Sequence, residues 1–216
     1  MEVEFDDDGH YKIKIILIGE AGVGKTNLIN IVQNKEFSPN ELSTPNCSFF
    51  MSPMQVENVN FNVYLWDTIG QEKLKAQTKI FFKNSKIVIL VYDITVRESF
   101  LKLEEWYNQV KDSLGTNIVL GVLGNKKDLF IDEDVKEEEA QEYANKIGAK
   151  WALTSAKTER PSFITYLEDL IKIYIKKANI KNSKDNEGEK KEQIVKENNL
   201  KLKDGKTKTK GKKKCC

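Results

Sequence analysis

Short apolar runs alternate with segments of helical periodicity along the first 178 positions of the chain. Five of these runs have the length of strands and lie at residues 13–18, 61–67, 87–92, 118–123 and 150–153. Several are continuously apolar, which is typical of strands that are buried on both faces. The alternation therefore predicts an α/β domain in which helices cover both faces of a mostly parallel sheet.

A sixth strand is predicted at residues 50–56. It is separated by four residues, 57–60, from the strand at 61–67, and this spacing predicts a hairpin that adds one antiparallel edge strand. Helices are predicted at residues 26–33, 99–114, 136–147 and 162–177, with Ser99 as an N-cap and Gly148 as a helix end. The expected sheet thus has six strands, and no internal repeat is present.

Charge divides the chain near residue 179. Residues 180–216 carry 13 lysines against 6 acidic residues, a net charge of +7, and few large apolar residues. Subtracting this +7 from the net charge of +2 for the whole chain leaves −5 for the remainder. We therefore predict an acidic N-terminal extension over residues 1–10, a globular domain over 11–178 and a disordered basic tail over 179–216.

Cysteine, histidine and long apolar segments are sparse. The three cysteines, Cys47, Cys215 and Cys216, fit neither zinc spacing nor a disulfide framework, which indicates a reducing compartment. His10 is the single histidine and lies in a polar segment, so a histidine-based hydrolase is excluded. No segment approaches the ~20 apolar residues of a membrane span, and residues 1–10 lack an apolar signal region. The protein is expected to be soluble unless it is modified.

The first predicted strand runs directly into a glycine-rich segment, GEAGVGKT, at residues 19–26. This segment fits G-x-x-x-x-G-K-[ST], in which backbone N–H groups enclose phosphates, the lysine reaches the terminal phosphates and the hydroxyl binds Mg²⁺. A helical pattern follows, so the strand, loop and helix occur in the order that the motif requires. The sequence therefore predicts a phosphate-binding loop with Lys25 and Thr26 in these roles.

Two further motifs follow later strands, WDTIGQE at residues 66–72 and NKKD at residues 125–128. The first carries an acid that can hold a metal's water shell, a glycine that can sense a γ-phosphate and a glutamine that can orient water. The second offers the Asp128 carboxylate to paired N–H donors, which guanine has and adenine lacks. Because it follows a buried strand, it is expected at the ligand-binding edge of the sheet. Together the three motifs predict a guanine-nucleotide site.

With these motifs, the Ser155-Ala156-Lys157 segment and the terminal Cys215-Cys216, the chain resembles the Rab family of small GTPases in the Ras superfamily. The resemblance covers about residues 11–178 and resumes at the final two cysteines. The CSF and IGAK segments, at residues 47–49 and 147–150, are most similar to endosomal Rabs. The resemblance implies a P-loop NTPase fold, GTP and GDP as ligands, Mg²⁺ as cofactor and slow hydrolysis of GTP.

The resemblance also implies a role for each matching residue. Catalysis is assigned to Gln71, which would position water, and to Lys25 on the β- and γ-phosphates. The other expected nucleotide contacts are Ala21, Gly22, Val23, Gly24, Thr26, Asn27, Phe37, Thr44, Gly70, Asn125, Lys126, Asp128, Ser155, Ala156 and Lys157. Magnesium is assigned to Thr26, Thr44 and Asp67, an effector-binding aromatic patch to Phe49, Trp66 and Phe81, and lipidation to Cys215 and Cys216.

The tail and the resemblance together predict a membrane-anchored switch. Eight lysines between Lys201 and Lys214 precede the two cysteines, and stable anchoring needs either two lipid chains or one chain with a polybasic patch. The implied modification is double geranylgeranylation. The implied partners are an exchange factor, a GTPase-activating protein, an escort protein, a GDP-dissociation inhibitor and effectors of the GTP-bound form.

The expected location is the cytoplasmic face of an endosomal or other vesicular membrane, with a cytosolic pool. Basic tails attract any polyanion, but the sequence shows neither a basic folded face nor a base-reading motif. Nucleic acid is therefore not an expected partner.

Two departures from the family pattern leave alternatives open. Pro45 and Asn46 follow Thr44 where the family has Ile-Gly, and proline restricts the preceding residue and removes an N–H. Ile69 replaces a small alanine beside Gly70. A GTP-binding recruitment module with impaired hydrolysis is one alternative. A P-loop nucleotide kinase is another, which the NKKD and Gly70-Gln71 segments disfavour.

The chain contains only two arginines, Arg97 and Arg160, and neither is close in sequence to the phosphate or switch motifs. We therefore predict no internal arginine finger. The positive charge that speeds hydrolysis would come from an activating partner.

Overall fold

The computed structural model describes residues 3–7, 9–39, 48–68 and 81–180. The elements in these ranges, in chain order, are β1 (Glu4–Phe5), β2 (Tyr11–Ile18), α1 (Lys25–Val32), β3 (Ser48–Val56), β4 (Val59–Asp67), β5 (Ile87–Asp93), α2 (Arg97–Leu101), α3 (Leu103–Leu114), β6 (Val119–Asn125), a 3-10 helix (Lys127–Asp132), α4 (Glu137–Ile147), β7 (Lys150–Leu153) and α5 (Arg160–Ala178). Among these helices none combines the length and apolarity needed to cross a bilayer.

Six strands form the main sheet in the order β3-β4-β2-β5-β6-β7. The pairs β2 with β4, β2 with β5, β5 with β6 and β6 with β7 are parallel, and β3 is antiparallel to β4 at one edge. The predicted mostly parallel six-stranded sheet with one antiparallel edge strand is therefore confirmed. Since the parallel strands run in one direction, the loops that follow β2, β4, β5, β6 and β7 meet at one edge of the sheet.

A seventh strand, β1, was not predicted. It pairs antiparallel with the beginning of β2, where Glu4 lies opposite Lys12 and Phe5 lies opposite Tyr11. The strand β5 pairs with β2 only from Ile15 onward, which leaves that edge of β2 open at its start. Part of the N-terminal segment 1–10 thus completes the sheet, a role that its acidic composition did not indicate.

The turn between β3 and β4 is shorter than predicted. Glu57 and Asn58 form a two-residue connection in which both residues have positive φ, 51° and 63°. This is the signature of a type I′ turn, whose twist matches that of the flanking strands and which lets pairing continue to the turn itself. Val59 and Asn60, predicted as loop, therefore belong to β4, where they pair with Val56 and Gln55.

The prediction of one helix over residues 99–114, with Ser99 as its N-cap, is wrong. The segment forms two helices, α2 and α3, and the N-cap residue of α2 is Val96. Ser99 is buried instead: its Oγ accepts the Asp93 N–H at 3.0 Å and its hydroxyl donates to the Val96 carbonyl at 2.6 Å. The hydroxyl thus joins the end of β5 to α2, a tertiary contact that replaces the capping bond.

Helices cover both faces of the sheet, as the apolar pattern predicts. Ile15 and Leu17 of β2 face a core that includes side chains of α1 and α5, such as Leu28 and Leu167. The alternate positions of β2, such as Ile16, face a second core built with α2, α3 and α4. A continuously apolar strand is required here because both faces are buried.

Candidate nucleotide-binding site

The loop between β2 and α1 is held in its path by glycines. Gly24 has φ of 93° and is the N-cap residue of α1, and a Cβ on it would lie 2.4 Å from Asn125 Nδ2. A Cβ on Gly19 would lie 2.1 Å from the Val91 carbonyl oxygen. Glycine is therefore required at both positions, because the loop approaches β5 and β6 too closely for a side chain.

The N-terminus of α1 faces the same loop. The first N–H to bond inside the helix is that of Leu28, which donates to Gly24 O at 3.0 Å. The N–H groups of Lys25, Thr26 and Asn27 precede this ladder and carry the positive end of the helix dipole. Such an end attracts phosphate, as the sequence motif predicts.

Lys25 lies buried across the loop that it belongs to. Its ammonium donates to the carbonyl oxygens of Gly19 and Glu20, each at 2.8 Å. Burial lowers the pKa of Lys25 to about 8, and the Asp67 and Glu20 carboxylates oppose this shift. A cation is thus already in place where terminal phosphates would bind, at the cost of its own hydration.

Binding of GDP above pH 8 is expected to take up a proton. Above pH 8 the Lys25 amine is neutral in a large fraction of the free protein molecules, because its pKa is about 8. Bound phosphates favour the charged form and therefore raise this pKa. Affinity should therefore fall as pH rises through 8, with no such loss below it. Calorimetry in two buffers of different ionisation enthalpy measures the uptake, and equal heats in both buffers above pH 8 would contradict it.

Two side-chain oxygens that could bind a metal ion lie beside Lys25. The Thr26 hydroxyl donates to Asp67 Oδ2 at 2.7 Å, and the parallel pairing of β2 with β4 places Asp67 opposite Leu17 at the strand ends. Hydroxyl and carboxylate oxygens are hard ligands of the type that Mg²⁺ prefers. The predicted metal ligands Thr26 and Asp67 are thus brought together, and their chemistry fits magnesium.

Asn125 joins the two halves of the site. Its Nδ2 donates to the Val23 carbonyl of the phosphate loop at 2.8 Å, and its Oδ1 accepts the Ala156 N–H at 3.1 Å. The sequence prediction placed Asn125 on the guanine base. Both ends of its amide bind the protein, so Asn125 positions the phosphate loop against the segment that follows β7. Nδ2 carries a second N–H, so the expected contact of Asn125 with the base stays a prediction.

Asp128 and Ser155 form the other side of the site. The Ser155 hydroxyl donates to Asp128 Oδ1 at 2.5 Å, and Ser155 Oγ accepts the N–H groups of Lys157 at 3.2 Å and Thr158 at 3.0 Å. Ser155 is therefore a fixed donor that orients the Asp128 carboxylate. Ala156 is buried beside it, whereas Lys157 is exposed.

Lys126 has a left-handed backbone, with φ of 67°, and its ammonium pairs with the buried Asp93 at 2.5 Å. Asp93 also accepts the N–H and the hydroxyl of Thr95, at 3.0 and 2.8 Å. The long side chain of Lys126 is thus fixed between the ends of β5 and β6. Asp93 is a site residue that the sequence analysis missed.

Phe37 lies on the chain that leaves α1, and its side chain is 38% exposed. Asn27 positions this chain: its Nδ2 donates to the Ser38 carbonyl at 3.0 Å and its Oδ1 accepts the Ser38 N–H at 3.2 Å. Arg160 adds a bond to the Lys35 carbonyl at 2.9 Å. The Asn27 side chain therefore positions the segment that carries Phe37.

The three aromatic residues of the predicted effector patch are partly brought together. Phe49 is 58% exposed and stacks on Trp66 with ring centroids 5.2 Å apart. The Lys14 ammonium lies 4.0 Å from the Trp66 ring centroid and donates to the Phe81 carbonyl at 2.6 Å. Lys14 thus links Phe81 to the stacked pair, a contact between residues too distant in sequence for the pattern to indicate.

A contact from α3 that the sequence pattern does not indicate also supports the phosphate loop. The indole N–H of Trp106 on α3 donates to Glu20 Oε1 at 3.1 Å. These residues are 86 positions apart, and Trp106 occupies an ordinary apolar position of an amphipathic helix. No local signal distinguishes it from a core residue.

Several predicted positions lie outside the described residues. They are Thr44, Gly70 and Gln71 of the nucleotide site, Cys215 and Cys216 of the tail, and the unusual residues Pro45, Asn46 and Ile69.

Comparison with known proteins agrees with this geometry. The sequence pattern of the Ras family matches residues 14–175. Ras-related protein Rab-21 of Homo sapiens is 36% identical over 170 residues, which cover 79% of this chain and 75% of that protein. Ras-related protein YPTC6 of Chlamydomonas reinhardtii is 38% identical over 151 residues, 70% of each chain. Ras-related protein RABA2a of Arabidopsis thaliana is 35% identical over 176 residues, 80% of this chain and 81% of its own.

Proposed function

Because this chain belongs to the Ras family of small GTPases and is similar throughout its domain to Rab proteins, we propose that it is a membrane-anchored GTP/GDP switch of vesicle trafficking. As a member of this family it binds GTP and GDP and hydrolyses GTP to GDP and phosphate. One observation supports the site most directly. Asn125 bonds both to Val23 of the phosphate loop and to Ala156 of the base side. A single ligand carrying both phosphates and a purine is what such a joined site fits.

The residues of the chain divide the work between binding and charge stabilisation. The Lys25 ammonium and the N–H groups at the start of α1 provide positive charge for the β- and γ-phosphates. Asp128, oriented by Ser155, accepts the paired N–H donors of guanine. Thr26, Asp67 and Thr44 would hold Mg²⁺, which would supply positive charge to balance the charge that develops on the phosphates. Gly70 senses the γ-phosphate and Gln71 orients the attacking water.

Neither arginine of the chain is positioned to assist hydrolysis. Arg97 forms a bidentate pair with Glu139 on α4, with N···O distances of 2.9 and 2.7 Å. Arg160 donates to the carbonyl oxygens of Lys35 and Ile31. A GTPase-activating protein that supplies an arginine in trans therefore explains how the switch is turned off. An exchange factor would reload it.

The purified protein, stripped of nucleotide, is expected to bind GTP and GDP at least about 10³-fold more tightly than ATP, since adenine offers Asp128 no paired donors. Unassisted hydrolysis should proceed at about 10⁻⁴ s⁻¹ and rise about 10³- to 10⁵-fold with an activating protein. Calorimetry and single-turnover assays measure both. Equal ATP binding would reject the guanine site.

Hydrolysis that no activating protein accelerates would favour the alternative function, a GTP-binding recruitment module. Faster hydrolysis in an Ile69→Ala variant would then identify crowding at Gly70 as the cause.

The aromatic patch fits the output of the switch. Phe49 and Trp66 present stacked rings on the β3–β4 edge, and large exposed aromatic surfaces are typical of protein interfaces. We propose that effectors bind this patch together with the segments that respond to GTP. An escort protein and a GDP-dissociation inhibitor would handle the lipidated form between the cytosol and the cytoplasmic face of an endosomal or other vesicular membrane.

Replacing both Cys215 and Cys216 with serine is expected to move the protein from the membrane fraction to the cytosol. The tail over 179–216 would keep its lysines, but stable anchoring needs two signals, and a polybasic patch without a lipid chain provides only one. Fractionation of cells expressing the tagged protein measures the change, with Cys47→Ser as the matched control. Membrane attachment of the double variant would contradict lipidation at these cysteines.

A further inference from the structure

Three large apolar side chains are exposed in a row directly after the NKKD motif. Leu129, Phe130 and Ile131, here called the apolar turn, belong to the 3-10 helix and expose 40%, 68% and 85% of their surface. Burying such side chains stabilises a protein, so adjacent exposed ones are uncommon on a surface without a partner. The described residues leave most of the Phe130 and Ile131 surface uncovered.

The backbone of the apolar turn is fixed at both ends. The Lys127 N–H donates to Thr154 O at 3.1 Å and the Leu129 N–H donates to Lys126 O at 2.8 Å. After the turn, the N–H groups of Asp134 and Val135 both donate to Ile94 O, at 2.9 and 3.1 Å. The apolar side chains are thus presented by an ordered segment, which lowers the entropy lost when a partner binds.

A group of acids, here called the acidic collar, follows the turn within eight positions. It consists of Asp132, Glu133, Asp134, Glu137, Glu138 and Glu139, and Lys136 is the one basic residue among them. Burial is the main cause that raises the pKa of Tyr92 to about 12, and the carboxylates of Glu133, Glu137 and Glu139 contribute to this shift, so these three lie on one side of the domain. The collar is therefore concentrated in space as well as in sequence.

Part of this negative charge has a structural explanation. Glu139 pairs with Arg97 at 2.7 Å and Glu133 with Lys136 at 3.5 Å, and acids in the first turn of α4 interact favourably with its dipole. Asp132 lies outside α4, and neither it nor Glu138 forms an ion pair within the described part of the chain. Excess negative charge thus remains beside the apolar turn.

We propose that the apolar turn and the acidic collar form a docking surface for a basic segment of another protein that carries large apolar side chains. Apolar residues of the partner would cover Phe130 and Ile131, and its lysines or arginines would pair with the collar. A second copy of this chain fits poorly, because a two-fold contact would set one collar against the other. An anionic membrane is repelled by the same charges.

The surface is built from the connection between β6 and α4. It contains none of the residues proposed to respond to the γ-phosphate, so a partner should bind the GDP and GTP forms equally. This independence separates the surface from the effector patch. An experiment that rejected the docking surface would leave the proposal for the effector patch unaffected, and the reverse also holds.

The test is a random-peptide phage selection on the full chain loaded with GDP, with counter-selection against a Phe130→Ser/Ile131→Ser variant. The enriched peptides are expected to combine net positive charge with large apolar residues. Fluorescence anisotropy should show binding at least about tenfold weaker to that variant and to Asp132→Asn/Glu138→Gln. Leu101→Ser with Asp112→Asn, which changes one exposed apolar and one exposed acidic residue on α2 and α3, should bind as the wild type does.

Four results would overturn the proposal: no enrichment, enriched peptides without basic residues, equal binding to the variants, or dependence on GTP. Light scattering that showed a dimer lost in Phe130→Ser/Ile131→Ser would assign the surface to a second copy and also overturn it. The altered side chains are exposed, so thermal unfolding of the variants should match that of the wild type.

Discussion

Replacing Lys25 with alanine is expected to lower the rate of GTP hydrolysis by about 10²- to 10³-fold, the usual effect of removing one charge-stabilising donor from a preorganised site. The ammonium of Lys25 is buried among the carbonyls of Gly19 and Glu20, so solvent cannot replace it. The variant also leaves these two oxygens without their donor. Nucleotide affinity should fall together with the rate, because the ammonium contacts phosphates in both the ground state and the transition state.

Single-turnover hydrolysis and displacement of a fluorescent GDP analogue measure the two effects. Lys111→Ala is the matched control, since it removes an exposed lysine from α3. The proton uptake expected above pH 8 should disappear in Lys25→Ala and persist in Lys111→Ala. Wild-type affinity and rate in Lys25→Ala would show that the terminal phosphates do not lie where the buried ammonium is.

Replacing Asp128 with asparagine is expected to move the base preference from guanine to xanthine by about 10²-fold or more. The Ser155 hydroxyl donates to Oδ1 of residue 128, so in Asp128→Asn the amide oxygen keeps this bond and the amide nitrogen takes the other position. The site would then present one acceptor and one donor. Guanine needs two acceptors, whereas xanthine has an oxygen in place of the exocyclic amine and matches the new pair.

Competition between GDP and xanthosine diphosphate for the nucleotide-free protein measures this change. Asp132→Asn provides the control, because it makes the same substitution at an exposed residue four positions along the 3-10 helix. An Asp128→Asn variant that still preferred GDP would contradict the assignment of this carboxylate to the base. Loss of all nucleotide binding together with loss of folding would instead indicate that the Ser155 bond is chiefly structural.

Much of the fold was predictable because parallel strands are buried on both faces and their apolar runs leave few alternatives. The runs at 87–92 and 118–123 correspond to β5 and β6 within one or two residues. The errors occurred where tertiary bonds decide the outcome. Ser99 has the chemistry of an N-cap, yet its Oγ accepts the Asp93 N–H at the end of β5 and its hydroxyl donates to the Val96 carbonyl. The strand β1 forms because β5 leaves an edge of β2 open, which no local pattern records.

The site was predictable to the extent that its motifs lie at strand ends, because parallel strands bring those ends to one edge. The structure brings Lys25, Thr26 and Asp67 together at this edge. The bonds that join the motifs were not predictable. Asn125 meets Val23 across 102 positions, and its two bonds could be identified only once both loops had been placed. Trp106 and Asp93 support the site through contacts of the same long-range kind.

The pairing of β1 with β2 has a consequence for the behaviour of shortened forms of the protein. Glu4 and Phe5 pair with Lys12 and Tyr11 of β2. The ring centroids of Phe5 and Tyr11 lie 4.5 Å apart. A chain that starts after residue 9 would leave this stretch of β2 as a bare template for strand addition by a neighbouring molecule. We therefore expect the first residues to limit self-association, and expression tags are better attached ahead of them than in their place.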